Sequence, residues 1–512
     1  MNRPPSITAL PPPGEPHDED PDTLKPSAVD PSASIDPHTG AVIGKKSAAE
    51  RKFVSRLDAV LLVYTCISQV LKYLDQQNIT NAYVSGLKED LNIQGNQYNY
   101  FTTWFNVGYA LFLIASPLYL PVRSPLTPLQ PSQIIITRVR PSWWLPSLEF
   151  CWGCLTIGLS QVTNYKQIYV LRAFVGAFEA SAYPGAIMLL MSWYTPREMA
   201  LRIAMYHSCQ SLGLMLSGAL QTAIYESLNG HSGVAGWRWM FIVDGIMTVV
   251  WSLLGLVFIP DFPTKPNPWA FWLRPHHVEM ARERTTRFRR TDNKKFTLKT
   301  IVRTLRQPLF YLFVALYPSS VLAQQGYNYF SLFLKALKNP DGTPTWSTAA
   351  VNAIPIGGAA IICVTVWVYG FMSDYFQTRW LIVMGQAIFA LIPCIIMSIW
   401  NVPLGAKYFA YFASYLSVAT APPLFAWLSD CCPHDAEQRA FILGFSIAFY
   451  YAVALFLHWV WLTNSGAWSN VLIWPTVEVP HYLHAWQTCI ALWVLVIILL
   501  CALRYTELKY IR

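Results

Sequence analysis

The chain has 512 residues, 54% of them hydrophobic and only 13% charged, with a formal net charge of +9 and a mean hydropathy of +0.32. A soluble domain carries roughly 25% charged residues, so this composition excludes a soluble fold and points to an all-α membrane protein. The positive charge does not indicate nucleic-acid binding, because it is concentrated in short loops between apolar stretches.

In chain order, residues 1–50 are rich in Pro, Ser, Asp and Gly and poor in aromatics, which predicts a disordered cytoplasmic tail. No basic segment leads into a short apolar run, so no cleaved signal peptide is expected. Spans are then predicted at 57–84, 97–114, 143–162, 165–192, 198–226 and 237–260. A second set falls at 306–336, 347–372, 379–400, 404–429, 438–463 and 482–504. Each is near or above the roughly 20 residues that cross a bilayer, which makes about twelve transmembrane helices. The domains read as an amino-terminal bundle at 55–260, a basic connector at 261–305, a carboxyl-terminal bundle at 306–505 and a short tail at 506–512. The 21 Trp and 27 Tyr suit the headgroup level of a bilayer.

Within the second span, residues 115–130 carry four prolines, which cannot continue a helix. Asn106–Ile114 would otherwise run straight into 131–137. The segment reads as an insert, from an unspliced in-frame intron or a lineage-specific loop. Cys151 and Cys154 form a CxxC in an apolar run with no second pair, and the adjacent Cys431 and Cys432 lack partners at zinc spacing. No metal site is therefore expected.

Orientation follows from Lys and Arg. One side holds Arg138 and Arg140, Arg197 and Arg202, Arg379, Arg439 and the connector run Arg282 to Lys295. The positive-inside rule places that side, with both termini, in the cytoplasm. The connector run reads as a solvated, topology-fixing segment, with binding to anionic lipid as the other reading.

Six plus six spans around a long basic connector resemble the layout of the major facilitator superfamily, whose two bundles enclose a midplane cavity. The 8–9 loop, Gly370-Phe-Met-Ser-Asp374-Tyr-Phe-Gln-Thr-Arg379, resembles that superfamily's G-x-x-x-D-x-x-x-x-R loop. The resemblance implies a gating latch in Asp374 and Arg379. The matching 2–3 loop keeps Arg138 and Arg140 but has no Asp.

Charges inside a bilayer cost at least about 2.5–3.5 kcal/mol each on insertion scales. The first span carries Lys72 and Asp75, and the fourth carries Arg172 and Glu179. The seven-residue spacing puts the last two on one face, two turns apart. Gly176 between them lets another backbone come close. Asp75 lies about 27 Å along its span at 1.5 Å per residue, so Asp75 and Arg172 are both expected in the outer half, with Glu179 near the midplane. In the superfamily the first and fourth helices line the cavity, so an Asp75–Arg172 pair is expected. It reads either as a structural salt bridge or as part of a substrate and proton site. A desolvated carboxylate such as Glu179 can exchange protons near neutral pH. Arg172 stays charged and can hold a carboxylate in bidentate fashion. Asn78, His207, Gln210, Gln324, Gln325 and Asn328 are further pocket candidates. For each, a helix–helix hydrogen bond explains the residue equally well.

The stretch Leu74-Asp75-Gln76-Gln77-Asn78-Ile-Thr-Asn81-Ala-Tyr-Val-Ser-Gly86 resembles the first-helix signature of the fungal anion:cation symporters, the allantoate permease family. It is most similar to the pantothenate-type members. Three other stretches match as well: Arg138 to Pro146, Arg172 to Gly185, and Gly236-Trp-Arg-Trp-Met-Phe-Ile-Val-Asp244-Gly245 with Ile259 to Pro263. The resemblance covers about 55–505. It implies proton-driven uptake of a small organic anion across the plasma membrane. Coupling and binding would then fall to Asp75, Arg172 and Glu179. Many members carry Asp-Arg where this chain has Asp75-Gln76, which leaves Arg172 as the main anchor and Lys72 as a second. The expected partners are a carboxylate substrate, protons and the bilayer, with no nucleic acid, a monomeric state and no cofactor beyond the proton gradient. An efflux antiporter is the alternative on the same fold. The stretch Leu212-Gly-Leu-Met-Leu-Ser-Gly218 lacks the proline of the efflux motif. A non-transporting nutrient sensor would carry long cytosolic extensions, whereas the expected tail here is short. No nucleophile–base set or phosphate loop suggests an enzyme.

Overall fold

The computed structural model describes residues 34–35, 42–43, 47–114, 139–287, 298–376, 378–432, 438–439, 441–447, 449–450 and 473–510. The suspected insert 115–130, Arg138, connector residues 288–297 and most of the eleventh span lie outside the described residues, as do most of the tail and the side chain of Asp374. Within the expected disordered tail, Ser34–Ile35 and Val42–Ile43 form a two-residue antiparallel pair.

The amino-terminal half comprises α1 (Ala48–Leu57), α2 (Val63–Ala82), α3 (Gln97–Ile114), α4 (Pro141–Leu159), α5 (Tyr165–Glu179), α6 (Ala182–Trp193), α7 (Pro196–Leu228) and α8 (Gly236–Phe258). The connector contributes α9 (Pro275–Arg287) and α10 (Leu298–Leu305). The second half holds α11 (Pro308–Ala323), α12 (Phe330–Ala336), α13 (Thr348–Phe376), α14 (Arg379–Ile399), α15 (Leu404–Ser414), α16 (Ala421–Cys431) and α17 (Leu483–Tyr510). A π turn at Asp58–Leu62 joins α1 to α2, making one long first span.

Three spans expected to be continuous are broken. The fourth breaks between α5 and α6, where Pro184 supplies no N–H to the first turn of α6. Glu179 therefore sits at the end of α5. The seventh tightens into a 3-10 turn at Gln325–Tyr329, where Gly326 packs so closely on Trp486 that a Cβ would lie 2.7 Å from its ring. The tenth does the same at Tyr415–Thr420, just before Pro422 and Pro423 open α16. The breaks in the seventh and tenth spans explain part of why only six helices among the described residues are long and apolar enough to cross a membrane on length and hydropathy; the fourth still qualifies, as Tyr165–Trp193.

Helix faces are inverted relative to a soluble protein. On α14, Leu381, Ile388, Ile392, Ile395 and Ile399 are exposed at helical spacing, while Gln386, Ala387, Ala390 and Cys394 are buried. On α5, Val170 and Phe174 face outward, and Arg172, Gly176 and Glu179 face inward. Apolar side chains on the outside and polar ones within are what hydrocarbon surroundings demand.

Small residues bring the site-bearing helices together. A Cβ on Gly176 of α5 would lie 2.1 Å from the Phe105 carbonyl oxygen of α3. One on Gly245 of α8 would lie 2.4 Å from Ile157 of α4. Both contacts are below any real Cβ distance, so only glycine permits these crossings. At the end bearing α1, Arg284 of α9 pairs with Glu198 of α7 at 2.6 Å and Glu50 of α1 at 2.8 Å. The first part of the connector is thereby docked on the amino-terminal half.

The two halves join by hydrogen bonds that gather at the opposite end. Asn99 Nδ2 donates to the Trp474 carbonyl at 2.7 Å, Asn352 Nδ2 to Ser85 Oγ at 2.9 Å, and Lys335 Nζ to Glu89 at 2.8 Å. The hydroxyl of Thr476 donates to the Gly95 carbonyl at 2.7 Å.

Candidate functional site in the amino-terminal bundle

Five ionisable side chains are buried together in the middle of the amino-terminal half: Lys72 and Asp75 of α2, Arg172 and Glu179 of α5, and Asp244 of α8. Their pairing differs from the expected one. Lys72 Nζ lies 3.7 Å from Glu179 Oε1, and Gln76 Nε2 donates to the same oxygen. The chain's departure from Asp-Arg thus places a neutral amide, rather than a guanidinium, against Glu179.

Asp75 accepts a hydrogen bond from Thr156 of α4 at 2.9 Å through Oδ2, and no salt bridge ties it to Arg172. Arg172 lies within the electrostatic reach of Asp75 and Glu179. Its guanidinium sits 4.7 Å from the centre of the Phe105 ring, and its Nε and Nη1 have no hydrogen-bond partner. Lys72 lies 5.4 Å from the centre of the Tyr109 ring. Both cations therefore lean on aromatic faces of α3.

A chain of neutral polar groups continues toward the other half. Asn78 Nδ2 donates to Asp244 Oδ2 at 2.5 Å, Ser217 Oγ donates to Asn78 Oδ1 at 3.0 Å, and Asn81 Nδ2 donates to Ser217 Oγ at 2.8 Å. Asn81 also lines a cavity of about 30 Å³ between the halves, with Gln77, Tyr327, Asn328, Ser331 and Asn352. That volume holds one or two waters.

The remaining candidates divide. Asn328 reaches the interface cavity and donates to Gln325 at 2.7 Å, while Gln325 donates back to the Val321 carbonyl. His207 bonds the Tyr183 hydroxyl at 2.8 Å, joining α7 to α6. Gln210 lies on α7 and Gln324 caps α11, and neither joins the charged cluster through a hydrogen bond among the described residues. Arg379 lies 3.3 Å from Asp430 and donates to Ser373 at 2.8 Å, so it ties α14 to α16 and α13 at one end of the second half.

Two buried carboxylates are additions. Asp244 was visible only as one position in a longer resembling stretch. Glu149 of α4, 4% exposed, accepts from Tyr64 at 3.0 Å and Ser68 at 3.4 Å. The signal for both was available, since each is a carboxylate inside an apolar run.

A helical bundle with lipid-facing apolar stripes and a buried charged cluster beside an interface cavity defines a polytopic membrane transporter. The sequence profile of the Major Facilitator Superfamily matches residues 65–458, and the chain belongs to that family of transporters. It is 34% identical over 401 residues to the MFS transporter PfmaC of Pestalotiopsis fici, spanning 78% of this chain and 71% of that one. It is 30% identical to the vitamin H transporter of Saccharomyces cerevisiae, over 85% of this chain and 69% of the relative. It is 28% identical to the pantothenate transporter liz1 of Schizosaccharomyces pombe, over 90% and 83%. Among solved structures, the xylose transporter XylE from E. coli in a partially occluded inward-open conformation superposes with a TM-score of 0.58 at 14% identity, covering 90% of this chain and 98% of XylE. At that identity the likeness bears on the fold alone.

Proposed function

We propose that this protein imports a small organic anion, of the pantothenate or related vitamin-carboxylate class, together with protons by alternating access. The observation that carries the reading is Arg172, a fully buried guanidinium with two unpartnered nitrogens beside buried carboxylates. Such a group lacks an acceptor, and a substrate carboxylate supplies one in bidentate geometry. The relatives that transport pantothenate and vitamin H support the substrate class. Arg172 is covered in this conformation, so anion binding requires the amino-terminal bundle to open around it.

In this reading Asp75 or Glu179 takes up a proton from outside, and the substrate carboxylate meets Arg172. The halves then rock, and the less acidic interior draws both off. Lys72, held by Glu179, becomes available to the anion when Glu179 is protonated. The Lys/Arg distribution supports cytoplasmic termini, with Arg379, Asp374 and Arg138 as gating residues on that side. The substrate class suits the plasma membrane, and the expected unit is a monomer driven by the proton gradient.

The test is uptake of labelled pantothenate, nicotinate, biotin and allantoate in cells lacking their own permease, with the proton gradient intact or collapsed. Uptake of one of them should require the gradient. Arg172→Ala should reduce it by about 30-fold or more, equivalent to about 2 kcal/mol of lost anion binding, and Arg172→Lys should rescue it poorly. Full uptake by Arg172→Ala would remove the proposed anchor.

A further inference from the structure

The buried cluster contains two cations, Lys72 and Arg172, and three carboxylates, Asp75, Glu179 and Asp244. Fully ionised, it carries one uncompensated negative charge. An unbalanced charge away from water costs several kcal/mol, which a group avoids by binding a proton. The partners identify the carboxylate concerned. Glu179 has Lys72 and the Gln76 amide. Asp75 has Thr156 and the field of Arg172. Asp244 has only a neutral donor, Asn78, and it faces the like charge of Asp75.

We infer that Asp244 holds a proton in the substrate-free protein, beside the like charge of Asp75. Asp244 is completely buried. Its Oδ1 has no partner, and neither does Asp75 Oδ1 nor the hydroxyl of Thr248, one turn along α8. A hydrogen on Asp244 turns one orphaned acceptor into a donor and removes the like charge that Asp75 faces. The other charged groups on α8 and α4 are engaged elsewhere. Arg238 of α8 donates to the Ser160 carbonyl near the far end of the helix. Glu149 lies two turns from Thr156 along α4, between the Tyr64 and Ser68 hydroxyls. The proton comes from water, and no other bond is made or broken.

The inference deepens the proton-coupled reading and rests on it only for its consequence in transport; the bound proton itself can be measured without substrate. Infrared spectra of the purified full-length chain at neutral pH should contain a protonated-carboxyl band that Asp244→Asn removes. The asparagine keeps an acceptor for Asn78. Asp75→Asn should also remove it, because the charge count then balances without a proton, and this second variant answers the question if the first fails to fold. Glu149→Gln identifies any band belonging to that separate carboxyl. In uptake, Asp244→Asn mimics the protonated state, so activity should persist at alkaline pH where the unmodified protein loses it. A carboxyl band unchanged in both Asp variants would overturn the inference. An Asp244-dependent band alongside pH-independent uptake would sustain it and defeat the proton-coupled reading instead.

Discussion

At the scale of single residues, the partnership between Lys72 and Glu179 bears most directly on coupling. Replacing Glu179 by Gln removes the carboxylate that balances a buried ammonium, and breaking a buried pair in this way costs about 3–5 kcal/mol. Loss of function in that variant alone would therefore not separate folding from coupling. The double change Lys72→Met with Glu179→Gln removes both charges. It should recover much of the thermal stability in detergent while leaving uptake unresponsive to an imposed pH gradient. Restored gradient dependence in the double variant would take the proton role away from Glu179. The charged residues themselves were legible in the sequence, because Lys, Asp, Arg and Glu stand out in apolar runs. Their pairing was not. Asp75 was expected to meet Arg172, yet it takes the Thr156 hydroxyl, while Glu179 takes Lys72 and Gln76. Pairing depends on the rotation of α2 against α5, which no spacing within one helix encodes.

At the scale of elements, the site depends on close helix crossings. Gly176 lies between Arg172 and Glu179 on the face that meets α3, with the Phe105 backbone where a Cβ would stand. Phe105 is also the ring beneath Arg172. Gly176→Ala should force α3 and α5 apart and destabilise the protein by about 1–3 kcal/mol. Substrate affinity should fall with it, because the guanidinium loses its aromatic support. A thermal-shift measurement beside a binding titration checks this, and unchanged values in both would show that the crossing tolerates the methyl group. The role of Gly176 was readable, since a glycine between two intramembrane charges has no propensity reason to be there. The breaks at Ala180–Ser181, Gln325–Tyr329 and Tyr415–Thr420 were not. Hydropathy averages across a break as long as the residues on both sides remain apolar.

For the whole molecule, the charge count of the cluster has a consequence for transport. With one resting proton the empty site is neutral, and a bound monocarboxylate makes it negative by one charge. One further proton restores balance, so the import cycle should move one proton with each monocarboxylate and no net charge. Uptake into vesicles should therefore respond to a pH gradient and stay insensitive to a potassium-diffusion potential. Stimulation by an inside-negative potential would mean that more protons enter than this count allows. The hydrogen bonds between halves gather at the end opposite α1, so the cycle must break Asn99–Trp474, Asn352–Ser85 and Thr476–Gly95 to admit substrate from that side.

The sequence by itself determined that the chain is a helical membrane protein and which side chains are costly enough there to demand a reason. These are local matters: run length sets a span, and the identity of one residue sets its desolvation cost. Tertiary structure alone decided who meets whom. It brought Asp244 of α8 to Asn78 of α2, put Gln76 against Glu179, and left two Arg172 nitrogens without an acceptor. Those relations arise from crossings between helices far apart in the chain, where a rotation of one turn or less exchanges one neighbour for another. The charge balance of the site is therefore a property of the folded bundle, although each charge in it can be read from the sequence.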